Sequence, residues 1–234
     1  MIHAFLTVTL RANQVVSGLA LTIFGTGFSS YIGKPFVGIP LKNTFKPLEI
    51  PGLSDIPFLG PILFKHDSLV YLSFVFVAIT ALVLYKTRWG LNLRAVGENP
   101  GAADSAGISV SLTRYVSIFM GGMLAGAGGA YLSLAYAPSW LENMTAGRGW
   151  IAVALVIFAM WDPFKALFGS YIFGGVDALG FRIQTMKVAI SPFFLKMMPY
   201  LLTIFVLIII TRETKTRRVS TPQALGLPYH REER

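Results

Sequence analysis

The sequence predicts an all-α polytopic membrane protein of about six transmembrane helices, with a short helix in one cytoplasmic loop. Three observations carry this. Of 234 residues, 54% are hydrophobic and only 13% charged, where soluble domains carry about 25% charge. The mean hydropathy is +0.61. Apolar runs approaching the roughly 20 residues that cross a bilayer alternate with polar segments. The net charge of +9 reads as basic loops on the cytoplasmic side of a membrane. No aromatic-plus-basic RNA-binding pattern accompanies it, so no nucleic-acid partner is expected. There is no cysteine, which excludes disulfides and thiol chemistry.

In order along the chain, Met1–Leu10 is apolar but too short to span, and reads as the tail of a longer element. It lacks the basic start and small-residue cleavage site of a signal peptide. Asn13–Ile32 is the first span. Residues 33–67 form an extracytoplasmic loop holding Pro35, Pro40, Pro47, Pro51, Pro57 and Pro61; such a backbone cannot face lipid unpaired. Leu69–Tyr85 is the second span, residues 86–114 a cytoplasmic loop and Tyr115–Ala137 the third span. Trp150–Trp161 is short for a crossing; Phe164–Phe181, Phe193–Thr211 and a polar tail over 212–234 follow. With loop and tail both inside, an even number of crossings must separate them. Trp150–Trp161 therefore also crosses, with its outer end broken or re-entrant. Twelve of the 20 Lys and Arg then lie inside and eight outside, a modest positive-inside bias. Both termini are expected to be cytoplasmic.

The polar island Arg88–Val110 separates two apolar runs. Inside it Asn99 is a good N-cap and Pro100 suits the first helical position, where no N–H is needed. Ala102, Ala103 and Ala106 favour helix, and Gly107 suits a left-handed residue past its end. A helix of about two turns is marginal alone and needs a surface to dock on. The series Arg94-Ala95-Val96-Gly97-Glu98-Asn99-Pro100, then Ala102-Ala103, then Ala106-Gly107-Ile108 resembles the coupling loop of ATP-binding-cassette (ABC) importer permeases of the ribose, branched-chain amino acid and nucleoside branch. The resemblance implies that this helix sits in a groove of an ATPase subunit and receives its motion. Arg94 and Glu98 would steady the docking, while Gly97 and Gly107 permit its bends. Ala103 and Ala106 belong to the same match.

A second stretch, Asn143–Trp150, also resembles that branch: Thr145, Gly147, Arg148 and Gly149 precede the apolar run IAVALVIFAMW and then Asp162-Pro163. Two glycines loosen the backbone, and the N–H groups of the following helix start then face a cavity. The resemblance sets this element beside the substrate path; Arg148 either bonds a polar ligand or sits in the outer interface. Asn13 and Gln14 open the first span and either line the path or cap the helix. Asp177 is an intramembrane carboxylate and so a functional candidate; the competing reading pairs it inside the bundle with Arg182. The run GGMLAGAGGA puts small residues four apart, as at Gly122 and Gly126, which suits close helix packing or a sliding face.

The resemblance covers about Leu10 to Thr211 and implies one transmembrane permease domain over 1–234, with 11–211 as its embedded core. Members usually have additional spans before this point, so the chain reads as N-terminally shortened. Partners implied are an ABC ATPase subunit, a second permease subunit, an extracytoplasmic substrate-binding lipoprotein and the lipid bilayer of a bacterial cytoplasmic membrane. The likeness is closest to nucleoside and simple-sugar permeases, through LRANQVVSGLAL, NMTAGRGWIAVALVIF and FGGVDALGFRIQ. There is no GxxxxGK[ST] phosphate loop, so ATP would be bound and hydrolysed by the partner; no cofactor is expected. The histidines, His3, His66 and His230, have no second ligand at helical spacing, so no metal site is expected. No nucleophile–base pair is visible, and the chain is not expected to be an enzyme. The alternatives are an ion-coupled carrier using Asp177, and an ABC permease for branched-chain amino acids.

Overall fold

The computed structural model describes residues 1–42, 44–57, 59–145, 147–186, 191–213 and 221–231. Lys187 and, in the tail, residues 214–220 and 232–234 lie outside the described residues. The chain divides into two units, Met1–Thr145 with Pro222–Arg234, and Ala146–Thr221.

In the first unit, α1 (Ile2–Ala4) continues into a π-helical turn, Phe5–Thr9. This apolar start is folded onto its neighbours: His3 Nδ1 lies 3.0 Å from Ser17 Oγ, and Thr9 Oγ1 lies 2.6 Å from the Tyr115 hydroxyl. Helix α2 (Gln14–Gly33) opens at Asn13, whose Oδ1 accepts the N–H groups of Val15 and Val16. The proline-rich loop is more ordered than expected. It holds α3 (Leu59–Leu63) and a two-residue antiparallel pair, β1 (Leu48–Glu49) and β2 (Lys65–His66). A 3.4 Å Lys65–Glu49 ion pair accompanies that register.

Helix α4 (Ser68–Lys86) starts at Asp67, whose Oδ1 accepts from Leu69 and Val70 N–H. Its other oxygen accepts from the Tyr131 hydroxyl at 3.3 Å. That bond ties the start of α4 to the end of α7 (Val110–Tyr131), which a π-helical turn, Leu132–Tyr136, prolongs. Between α4 and α7 come α5 (Arg88–Glu98) and α6 (Pro100–Ser105). The unit therefore has a coupling end, with the start of α2, the end of α4, α5, α6 and the start of α7, and an opposite loop end.

Among the described residues, three helical stretches are long and apolar enough to cross a membrane: Gln14–Phe36, Ser68–Lys86 and Val110–Tyr136. Their most apolar windows are only 6%, 6% and 0% buried within the chain. Lipid tails are as apolar as Leu, so such faces need no protein cover in a bilayer.

The second unit is three mutually touching helices, α8 (Arg148–Phe158), α9 (Pro163–Thr185) and α10 (Pro192–Glu213). The short Trp150–Trp161 crossing expected from sequence is an 11-residue helix ending at Phe158, about 16 Å long against about 30 Å of hydrocarbon. Met160 and Trp161 then take positive φ, 50° and 58°, and Asp162 caps α9 by accepting from Lys165 N–H. Gly169 lets α9 lie against Leu155 and Phe158 of α8; a Cβ there would come within 2.8 Å of Phe158 Cδ1.

Candidate functional site

The coupling end carries a cluster of buried apolar side chains, Val96, Ala103 and Val110, spaced seven apart. Ala95, Ile108 and Tyr229 pack against it. Sequence reasoning expected one short helix here, and there are two. Helix α5 starts at Thr87, whose Oγ1 accepts the Gly90 N–H at 3.1 Å. Gly90 is required because a Cβ there would overlap the Val83 carbonyl. The signal missed was Thr87 as a cap ahead of an amphipathic run.

Asn99 does two jobs. Its N–H closes α5 on the Ala95 carbonyl at 2.9 Å, and its Oδ1 opens α6 by accepting the Ala102 N–H at 3.0 Å. Pro100 takes the first helical position. At the far end Gly107 has φ +83°. Its N–H reaches the Asp104 carbonyl at 2.9 Å, and the Ile108 N–H reaches the Ala103 carbonyl at 3.0 Å. That bond pair is a Schellman closure, with Ile108 and Ala103 as its apolar contact. A six-residue helix, marginal alone, is thus held at both ends and underneath.

The candidate residues of this loop separate into two faces. Ala103 is 3% exposed, so it packs inward and offers no contact to a partner. Arg94, Glu98, Asn99 and Ala106 are exposed. The Arg94 guanidinium lies 5.6 Å from the centroid of the Tyr85 ring, a cation–π distance. Gly97 was expected to permit a bend, but it lies inside α5 with no left-handed φ. A Cβ there would meet Pro222 at 3.4 Å, an ordinary contact distance.

Toward the loop end of the same unit is a cavity of about 470 Å3, within the roughly 300–1,000 Å3 range of small-molecule sites. Helix α2 lines it with Leu21, Thr22, Gly25, Thr26, Ser29 and Ser30. The other wall is Gly129, Ala130 and Ser133 from α7 and its π turn, then Trp140, Leu141, Asn143, Met144 and Thr145. Among the described residues none of these lining side chains is charged. The Thr22 and Thr26 hydroxyls donate to the carbonyls of Gly18 and Thr22, which leaves their oxygens able to accept from a ligand. Trp140 is fixed in place: its ring occupies the position of a Cβ on Gly33, and bridges join Val37 to Trp140 and Pro40 to Ser139.

Thr145 is the sequence candidate that lines this cavity. Asn13 caps α2 at the coupling end, with Gln14 beside it, about two turns before Thr22. Gly147, Arg148, Gly149 and Asp177 belong to the second unit. There Gly147 is left-handed at φ +76°, and the Tyr200 hydroxyl fills the place a Cβ would take. No ion pair forms between Asp177 and Arg182; five residues apart, they stand about 140° apart around the helix. The missed residues are Thr22, Thr26, Ser29 and Ser30. Their signal was hydroxyls recurring at helical spacing inside an otherwise apolar span.

A polytopic helical chain with a rigidly capped short helix at one end of its spans and a charge-free polar cavity toward the other is built as a membrane transport subunit driven from outside itself. Residues 1–210 match the branched-chain amino acid transport system permease component family, and the chain belongs to it. It is 39% identical to the provisionally named glucose ABC transporter permease protein TsgC13 of Haloferax volcanii, over 99% of this chain and 77% of that protein. It is 36% identical to the nucleoside ABC transporter permease protein NupC of Lactococcus lactis, over 97% of this chain and 72% of the relative. The guanosine ABC transporter permease protein NupQ of Bacillus subtilis is 34% identical over 98% and 72%. No solved structure gives a significant match. The chain is therefore a multi-pass permease subunit of an ABC importer, a class that works with an ATPase subunit and a substrate-binding protein.

Proposed function

We propose that this permease passes neutral, hydroxyl-rich solutes, nucleosides or simple sugars, along a path that includes the α2–α7 cavity. The observation that carries the reading is the lining of that cavity: six hydroxyls and one amide, Thr22, Thr26, Ser29, Ser30, Ser133, Thr145 and Asn143, with Trp140 beside them. Hydroxyls and amides exchange hydrogen bonds with a sugar ring, and an indole face packs on a sugar or base. A zwitterionic amino acid would bring two charges into a site with no lining charge to meet them, which is costly. The glucose, nucleoside and guanosine names of three relatives agree with this reading.

Energy comes from the ATPase subunit, with α6 as the contact that moves. Two permease subunits flank one path, the coupling end and both termini face the cytoplasm, and a receptor delivers solute from the far side. Arg148, Gly149 and Asp177 are candidate solute contacts within the second unit.

The test is uptake of radiolabelled nucleoside and glucose by vesicles holding this chain with its ATPase and receptor. ATP-dependent uptake, competed by unlabelled nucleoside or sugar and not by leucine, is expected. Uptake that survives an ATPase-dead partner but collapses with an uncoupler would make the chain an ion-coupled carrier.

A further inference from the structure

The C-terminal segment is more than 100 residues along the chain from every part of the coupling end, yet it touches α5, α6, the start of α7 and Arg11 ahead of α2. The Ala224 N–H donates to the Gly97 carbonyl at 3.0 Å. That carbonyl belongs to the last turn of α5, where carbonyls lack partners within the helix. Tyr229 packs on the Val96–Ala103–Val110 cluster. The Arg231 guanidinium lies 3.2 Å from Asp104 on α6, whose side chain is only 11% exposed, so the pair is partly withdrawn from water. The Leu227 carbonyl accepts from Arg114 of α7 at 3.0 Å. Arg11, ahead of α2, reaches His230 at 3.0 Å.

We propose that Pro222–Arg231 is a strap that makes α5, α6 and the base of α7 one lever, with Tyr229 and Arg231 as positioning residues for ATP-driven transport. This rests on the reading of α6 as the ATPase contact. A helix of six residues cannot transmit a push unless what it stands on moves with it. Capping fixes the ends of α6 to its own chain neighbours; the strap fixes it sideways to α5 and α7 at once. A strap of this kind sets how much of each ATPase stroke reaches the spans, separately from whether the ATPase binds.

The chain has no cysteine, so a single Ser105→Cys change gives a clean spin-label site on exposed α6. In the reconstituted complex, Arg231→Asp should raise label mobility and lower solute moved per ATP hydrolysed by about tenfold, within the usual range of coupling effects. ATPase co-purification and hydrolysis should be retained. The swap Asp104→Arg with Arg231→Asp should restore both readouts, and truncation after Thr221 should exceed the single change. Unchanged mobility in Arg231→Asp and in the truncation overturns the strap, as does hydrolysis falling in step with transport. The spectrum is read without any transport, so a wild-type complex lacking ATP-dependent uptake would sink the importer reading while the mobility result still judged the clasp.

Discussion

The coupling end and the spans of the first unit are built by different physics. At the coupling end Val96, Ala103 and Val110 are each 3% exposed, and two short helices are capped and cross-tied. In the spans almost no residue is fully buried by the chain itself. The first region is a small water-soluble core, held by the hydrophobic effect and by satisfied helix ends. The second is finished only by lipid and by other protein, because apolar burial inside a bilayer gives little driving force. On the proposed reading of α6 as the ATPase contact, the part that is pushed on is the part that folds as soluble proteins do.

The sharpest test of this contrast is Gly107→Val. A β-branched residue at φ +83° is a severe outlier, costing about 2 kcal/mol or more with the loss of the Schellman closure. ATP-dependent uptake should fall more than about tenfold, and Gly107→Asn should recover most of it, since Asn tolerates that conformation. Unchanged uptake in the Val variant would mean that the closure of α6 does not set coupling.

Next in size is the cavity. Thr26→Val combined with Ser133→Ala removes two hydroxyls that line the cavity, each worth about 1 kcal/mol if it bonds the solute. The apparent KM for the transported solute should rise about tenfold or more with basal ATP hydrolysis unchanged. A loss of hydrolysis instead would show that these hydroxyls support folding and not solute.

A smaller effect compares the same cap on two helices. Asn99→Ala and Asn13→Ala each delete one capping side chain, worth about 1 kcal/mol. On the six-residue α6 that is a large share of the helix, and coupling should drop severalfold. On the 20-residue α2 the bilayer fixes the helix, and uptake should change less than about twofold. Equal losses would remove the distinction between the two regions. Smallest of all, Gly126→Ala meets nothing within 4 Å in this chain, so the isolated subunit should insert and purify as wild type. Lost pairing in the assembled complex would show that another subunit's helix fills that face.

Much of the coupling end was legible in the sequence because capping is local. Asn99, Pro100 and Gly107 act within four residues of themselves, and their chemistry names their conformation. Helix α5 escaped notice because its polar residues hide an amphipathic pattern only a few turns long. The cavity was legible only at Thr145. Its other wall is the hydroxyl face of α2, and which face of a uniformly apolar span looks inward is set by neighbours far along the chain.

By itself the sequence determined that this is a polytopic helical protein, where its main spans lie, and how α6 begins and ends. Those follow from hydropathy over 20 residues and from backbone bonding over four. Only the tertiary structure decided that Ala103 faces inward, that the Gly97 carbonyl takes the Ala224 N–H, and that Arg231 meets Asp104 across 127 positions. Contacts between distant segments depend on how helices dock, and no local pattern of side chains encodes that choice.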